Sequence, residues 1–270
     1  MPEGHTLYRL AADLQRAFGD HFVAASSPQG RFSESAALIN GRVLESAASA
    51  GKHLFLRFDN DLVLHVHLGL IGGFRIVSAP VEPPVGEVRL RLVGHSSYAD
   101  LRGATTCELI SIDTLEVILA RLGPDPLRAD ADPERGFARM RKSRKAVGAL
   151  LMDQRVLAGV GNIFRAESLF RARLHPLTPG ERISKRRWNA LWTDLVALMA
   201  YGVETGRIDT VRPEHEPAAM GRDPRVDKHG GEVYVYRRAG QACHVCGTRV
   251  KTQVLEGRNL YWCSVCQRRR

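Results

Sequence analysis

The sequence predicts an α+β, multidomain fold: an N-terminal helix plus β-sandwich over 1–122, a helical domain over 123–229 and a C-terminal zinc-ribbon hairpin over 230–270. Three observations carry this. Apolar residues recur at helical spacing up to Phe18 and then switch to short alternating or β-branched runs. Beyond the Gly- and Pro-rich segment Leu122 to Leu127 helical spacing returns. Two Cys-x-x-Cys pairs close the chain.

Leu7, Leu10, Ala11, Leu14 and Phe18 place one apolar stripe on a helix that begins almost at the first residue. Strands are expected at Leu54 to Phe58, Leu62 to Leu68, Phe74 to Val77, Val88 to Val93 and Thr106 to Ile112, with turn residues between them. The cluster Leu122 to Leu127 reads as a linker. Helices follow at Ala146 to Met152, Ile163 to Phe170 and Lys185 to Tyr201, the last carrying Trp188 and Trp192 four residues apart, as core residues. The polar stretch Arg207 to Gly230 is long enough to act as a lid. Glu232 to Arg238 reads as a strand.

The 270 residues carry 39 Lys and Arg against 29 Asp and Glu, a net charge of +10 that favours polyanionic partners, nucleic acid first. Apolar runs stop well short of the roughly 20 residues a membrane helix needs, so no membrane association is expected. Met1 to Arg9 lacks the basic and apolar segments of an export signal. Four of the five cysteines cluster, which suits a metal site rather than a disulfide framework and a cytoplasmic setting.

Cys243-x-x-Cys246 and Cys263-x-x-Cys266 offer four thiolates to one structural Zn2+, with sixteen residues between the pairs. The hairpin between them is basic and suited to phosphates, although a zinc ribbon alone establishes no catalysis. Asp153 to Ile163 reads as a helix-like run, a glycine turn and Asn162 as an N-cap, a layout that admits either phosphate binding or an ordinary turn. Removal of Met1 ahead of the small Pro2 leaves a secondary amine. Such α-amino groups titrate near 7.7 to 8.0 (roughly), so part of it is a free nucleophile at neutral pH. Glu3 beside it is a candidate proton donor once burial raises its pKa. Lys52 leads into a strand as a phosphate or proton-handling candidate. His65 and His67 share a strand face without an evident third ligand, and Cys107 reads as a small buried hydrophobe.

Taken together, Met1-Pro2-Glu3-Gly4, Gly51-Lys52, Asp153 to Asn162 and the cysteine hairpin resemble the formamidopyrimidine-DNA glycosylase and endonuclease VIII family, in family order and over nearly the whole chain. Gly4 and the run Leu255 to Cys263 are closer to the endonuclease VIII branch, which favours oxidised pyrimidines. The resemblance implies a helix-two-turn-helix domain, double-stranded damaged DNA as partner and a monomer. It implies a bifunctional DNA glycosylase and apurinic/apyrimidinic lyase of base excision repair. Its catalytic residues would be Pro2 as Schiff-base nucleophile, Glu3, Lys52 and the phosphate-gripping Arg258. DNA contacts would fall to Leu70, Arg102, Arg121 and Asn162. Thr6 stands where many members carry a second glutamate, and Ala104 where an aromatic often follows the loop arginine. Two other readings stay open: an oxidised-purine glycosylase and a non-catalytic zinc-containing DNA-binding protein.

Overall fold

Leu7, Ala11, Leu14 and Phe18 are buried, so the N-terminal stripe forms α1 (Gly4–Phe18) and fastens it to the sheet behind. The computed structural model describes residues 2–227 and 231–269. These divide into two compact units, Met1–Arg121 and Leu122–Arg270. The boundary expected at 229/230 lies outside the described residues.

In the first unit α1 is followed by β1 (Phe22–Ser26), α2 (Ser33–Ile39), β2 (Arg42–Ala50), β3 (His53–Phe58), β4 (Val63–His67), β5 (Gly73–Ser78), β6 (Leu90–Val93), β7 (Ser97–Arg102), β8 (Thr106–Ile110) and α3 (Ile112–Arg121). The strand order is β5-β7-β6-β1-β2-β3-β4-β8. Only two residue pairs, Phe22 with Val43 and Val23 with Arg42, join the four-stranded halves. Leu54, Leu56, Phe58, Leu64 and Val66 from one half share a core with Val23, Leu90, Leu92, Ala99 and Leu101 from the other. This is the expected sandwich. Each such leucine contributes about 2 kcal/mol by burial. Cys107 is half-buried against the same core, and burial pushes its thiol up to about 12. The expected strand to Ile112 stops at Ile110, because Ser111 Oγ accepts from the amide of Thr114 and opens α3 instead.

The second unit contains α4 (Pro133–Arg141), α5 (Val147–Leu150), α6 (Asn162–Arg171), α7 (Lys185–Thr205), α8 (Pro217–Met220), β9 (Lys251–Leu255) and β10 (Arg258–Trp262). Asp132 caps α4 through the amide of Glu134 at 2.9 Å, with Pro133 in the first turn. Ser184 caps α7, and Gly206 ends it in the left-handed conformation that glycine adopts without steric cost. Trp188 is fully buried and Trp192 packs partly against the same core, as expected. That core also takes in Val233, Tyr234, Val235, Val250, Tyr261 and Cys263, so helices and cysteine hairpin are packed as one body.

The expected linker Leu122 to Leu127 starts where the two units divide and is buried from Leu122 to Pro126, where a Cβ on Gly123 would meet the carbonyl oxygens of Arg155 and Val156 at 2.6 Å. Three expectations are corrected here. Ala146 to Met152 keeps only the single turn of α5. Asp153 to Gly159 is a chain of turns, because the Gln154 side chain occupies its centre. It accepts from the amide of Gly159 at 2.9 Å and donates to the carbonyls of Met152 and Val160 at 3.1 Å each. Glu232 to Arg238 is no strand, because its amides bond to a side chain instead of a neighbouring strand. Glu167, fully buried, accepts from Tyr234, Val235 and Tyr236 at 2.6, 2.8 and 2.8 Å.

Candidate functional site

Two anchors fix how α1 lies on β2: the amide of Ala47 donates to Gln15 Oε1 at 2.7 Å, and the amide of Asp20 to the carbonyl of Leu44 at 2.8 Å. Moving back along α1 from these anchors therefore means moving forward along β2. From Phe18 to Gly4 the helix rises about 21 Å, and from Leu44 to Ala50 the strand advances about 20 Å. The start of α1 and the Gly51-Lys52 turn thus lie at the same end of the unit. Pro2 and Lys52 are half-buried there, and Glu3 is wholly buried at the helix start, its carbonyl accepting from the amide of Thr6 at 2.9 Å. Met1, and with it the expectation of its removal, lies outside the described residues. Thr6 Oγ1 lies 3.3 Å from His5 Nε2.

Leu70 forms part of the exposed tip between β4 and β5 and is 49% exposed, with Ile71 beside it at 90%. Two adjacent bared apolar side chains on the connection between β4 and β5 are costly in water, and only Leu70 carried a sequence signal. Arg102 is part-exposed and held by its own unit, donating to Asp100 Oδ2 at 2.8 Å and to the carbonyl of Val85 at 3.1 Å. Asp100 is also gripped in a bidentate pair by the buried Arg91 at 2.7 and 2.8 Å. Burial alone would raise the Asp100 carboxyl; the hydrogen bonds and charge of Arg91, joined by Arg102, outweigh it and hold the group below its usual range. Arg121 ends α3 exposed.

Sequence reasoning missed a third feature of this unit. His65, on the strand face opposite the core, is buried, with Nδ1 at 2.9 Å from Glu108 Oε1 and Nε2 at 2.8 Å from His53 Nδ1. The expectation that no carboxylate or further histidine accompanies His65 and His67 is thus corrected. Register supplies the reason: β3, β4 and β8 pair so that Phe55 faces His65, His65 faces Glu108 and His53 faces His67. Residues 12 and 43 positions away in sequence become neighbours only through that pairing.

In the second unit the structure brings Asn162 and the Arg258 strand together. Asn162 is the first residue of α6 rather than its cap, which is Gly161. Its Nδ2 donates to the carbonyl of Asn259 at 3.1 Å, and Arg165 Nη2 donates to that carbonyl at 3.0 Å as well as to Asn162 Oδ1. The residue following Arg258 is therefore clamped to the start of α6. Arg165, buried among apolar neighbours, carried no sequence signal.

The four cysteine sulfurs lie within 4.8 Å of one another, with Cys243 to Cys266 at 3.8 Å and Cys246 to Cys263 at 3.4 Å. A tetrahedron with Zn–S bonds of about 2.3 Å needs sulfurs about 3.8 Å apart, so the set fits one structural Zn2+. Among the described residues this is the only cluster of metal-ligand geometry. No helix of these residues is long and apolar enough to cross a membrane.

Comparison with known proteins agrees segment by segment. Residues 1–107 match the formamidopyrimidine-DNA glycosylase N-terminal domain, 122–213 its H2TH domain and 240–269 the zinc finger found in FPG and IleRS. The chain is 50% identical to Endonuclease 8 1 of Mycobacterium tuberculosis over 274 residues, covering 99% of this chain and all of the relative. It is 35% identical to a formamidopyrimidine-DNA glycosylase of Methylococcus capsulatus over 236 residues, 85% of this chain and 84% of that one. A crystal structure of the Lactococcus lactis formamidopyrimidine-DNA glycosylase, bound to DNA containing an AP site, has the same fold. It superposes with a TM-score of 0.79 at 22% identity over 99% of this chain and all of that one. The chain belongs to the formamidopyrimidine-DNA glycosylase and endonuclease 8 family, the DNA glycosylases of base excision repair.

Proposed function

We propose that this chain is a bifunctional DNA glycosylase and apurinic/apyrimidinic lyase that excises oxidised bases, pyrimidines favoured, from double-stranded DNA. The observation that carries the reading is the wholly buried Glu3 next to Pro2, at the end of the unit that also holds Lys52. A carboxyl shielded from solvent and adjacent to the amine is placed to hand over a proton. The 50% identity to an endonuclease 8 over the full length supports the pyrimidine preference.

The target nucleotide leaves the helix, because its sugar carbon is shielded while the base is stacked. The Pro2 nitrogen lone pair attacks C1′, the C1′–N bond to the base breaks, and Glu3 supplies the proton the departing base needs. The resulting iminium acidifies the sugar, and successive β- and δ-elimination breaks the strand on both sides. Lys52 holds a phosphate and supports elimination. Arg258 grips the backbone from the zinc hairpin, and Asn162 and Arg121 are further DNA contacts. Leu70 fills the gap left by the flipped base, and Arg102 faces the orphaned partner. Zinc keeps β9 and β10 folded and never meets the reacting sugar. The enzyme acts as a cytoplasmic monomer with the three-part division 1–122, 123–229 and 230–270.

Borohydride trapping on a duplex carrying one oxidised pyrimidine, followed by mass mapping of the crosslinked peptide, tests this. A crosslink at Pro2, lost in Pro2→Gly, is expected. Tight DNA binding without any crosslink by N-terminally processed protein would favour a non-catalytic binding protein, and preferential trapping on an oxidised purine the other branch.

A further inference from the structure

Glu108, His65 and His53 form a connected chain across β8, β4 and β3, beginning at an exposed carboxylate and ending beside Lys52. An ionised carboxylate only accepts hydrogen bonds, so His65 carries its proton on Nδ1. In the neutral form of the chain His65 Nε2 is then a lone pair, and it accepts from His53 Nδ1–H at 2.8 Å. That leaves His53 with a lone pair on Nε2. His67, across from His53, has the opposite tautomer: its Nδ1 accepts from the amide of Gly69 at 3.1 Å, so its proton sits on Nε2. Thr105 Oγ1, 3.1 Å from the same Nδ1, donates to the carbonyl of His67 at 2.9 Å.

We propose that Glu108–His65–His53 is a proton-exit wire for the elimination steps, entered at His53 Nε2 and opening to solvent at Glu108. The proposal rests on the lyase reading above. Breaking the C2′–H bond of an iminium sugar leaves the electron pair in an enamine and frees one proton, which has to leave the site. It passes, directly or over one water, to His53 Nε2. The Nδ1 proton of His53 moves to His65 Nε2, that of His65 Nδ1 moves to the Glu108 carboxylate, and Glu108 gives it to bulk water. Once product leaves and the site is wetted, the reverse shift restores the starting tautomers. His53 is the entry residue; His65 and Glu108 act through it.

The surroundings favour a wire over an ion pair. His53 and His65 stack with ring centroids 5.1 Å apart, and Phe55 stacks on His65 at 5.0 Å, which keeps water out of the middle of the chain. The charged or titratable groups facing it are Lys52 from the turn before β3, His67 from β4 and Glu108 from β8; β2 offers only Ala48 and Ala50 opposite Phe55 and His53. Farther along that face Arg57 pairs with Glu45 and Asp61. Burial, reinforced by His65, His67 and Lys52, lowers His53 to about 4, so its ring is neutral and open to a proton at neutral pH.

Glu108→Gln separates relay from scaffold, because the amide oxygen still accepts from His65 Nδ1–H but takes no proton. On a preformed abasic duplex at saturation, Glu108→Gln and His65→Phe should each slow strand elimination about a hundredfold, the lower end for a lost proton-transfer group. Affinity for that duplex and the yield of borohydride trapping should be unchanged. The solvent deuterium effect on elimination should shrink in Glu108→Gln, and nitrogen-15 spectra should show Nδ1–H on His53 and His65 with Nε2–H on His67. Wild-type elimination rates in both variants, a loss of affinity with an unchanged saturating rate, or the reverse tautomers would each overturn the wire. Failure of the unaltered protein to be trapped at Pro2 would instead sink the lyase reading, whereas normal trapping with undiminished elimination in both variants sinks the wire alone.

Discussion

Thr210 Oγ1 donates to the buried Glu167 carboxylate at 2.6 Å. The same carboxylate receives three consecutive amides from Tyr234 to Tyr236, so one side chain on α6 ties down both ends of the polar stretch beginning at Arg207. Hydrogen bonds to a charged group contribute about 1.5 to 3 kcal/mol each, and orphaning buried donors costs more. Glu167→Ala should lower stability by at least about 3 kcal/mol and Thr210→Val by about 1 to 2 kcal/mol. Urea unfolding followed through the tryptophans measures both.

Asp100 gives a pH prediction. Its carboxyl is held below the usual range in the folded state, so its contribution is present above the unfolded pKa and lost as pH falls through the folded one. Asp100→Asn should cost about 3 kcal/mol at neutral pH, the lower range for breaking a buried ion pair. The difference from the parent should close below the ordinary carboxylate range. A gap that stays constant down to strongly acid pH would rule out Arg91 and Arg102 as its source.

Chelating zinc, or Cys263→Ser, should unfold β9 and β10 and release Asn259 from Asn162 and Arg165. Base excision should fall together with the change in Trp262 fluorescence. Full cutting by metal-free protein would remove the structural role assigned to zinc.

Leu70 and Ile71 contribute little to the core, being exposed. Leu70→Ala should therefore leave the melting temperature within about 1 °C of the parent, as expected for surface positions. Binding to a lesion duplex should weaken several-fold relative to undamaged DNA. Equal losses on both duplexes would argue against insertion of this tip into the stack.

Affinity for DNA should fall linearly on a log–log plot against salt, by a slope of roughly −0.9 per phosphate contact, and Arg258→Ala should reduce that slope by about one contact. Titration by fluorescence anisotropy over a salt series reads this directly.

What sequence alone revealed follows from where each interaction partner lies. α1, β3, β4 and the cysteine pairs are legible because their signals are periodic or closely spaced. β2 carries little local strand signal, because Glu45-Ser46-Ala47-Ala48-Ser49-Ala50 lacks β-branched residues; its strand form is imposed by β3 and by Gln15. Glu232 to Arg238 misled for the opposite reason, since alternating valines and tyrosines suggest a ladder while Glu167 takes their amides. Pro2, Glu3 and Lys52 carry little signal singly and are legible through the resemblance of the whole chain, while the antiparallel run of α1 along β2 is what brings them to one end. Arg165 and the Glu108–His65–His53 chain are joined only by tertiary pairing, which no local pattern encodes.

The shared core of the second unit makes its parts depend on one another for cover. Met1–Arg121 is a compact unit with a core of its own. The helices from α4 to α7 have no core to themselves: Tyr261 and Cys263, which share their interior, come from β10 and the cysteine hairpin. A helical segment cut off from the hairpin would therefore leave bare the apolar surface that Tyr261 and Cys263 cover.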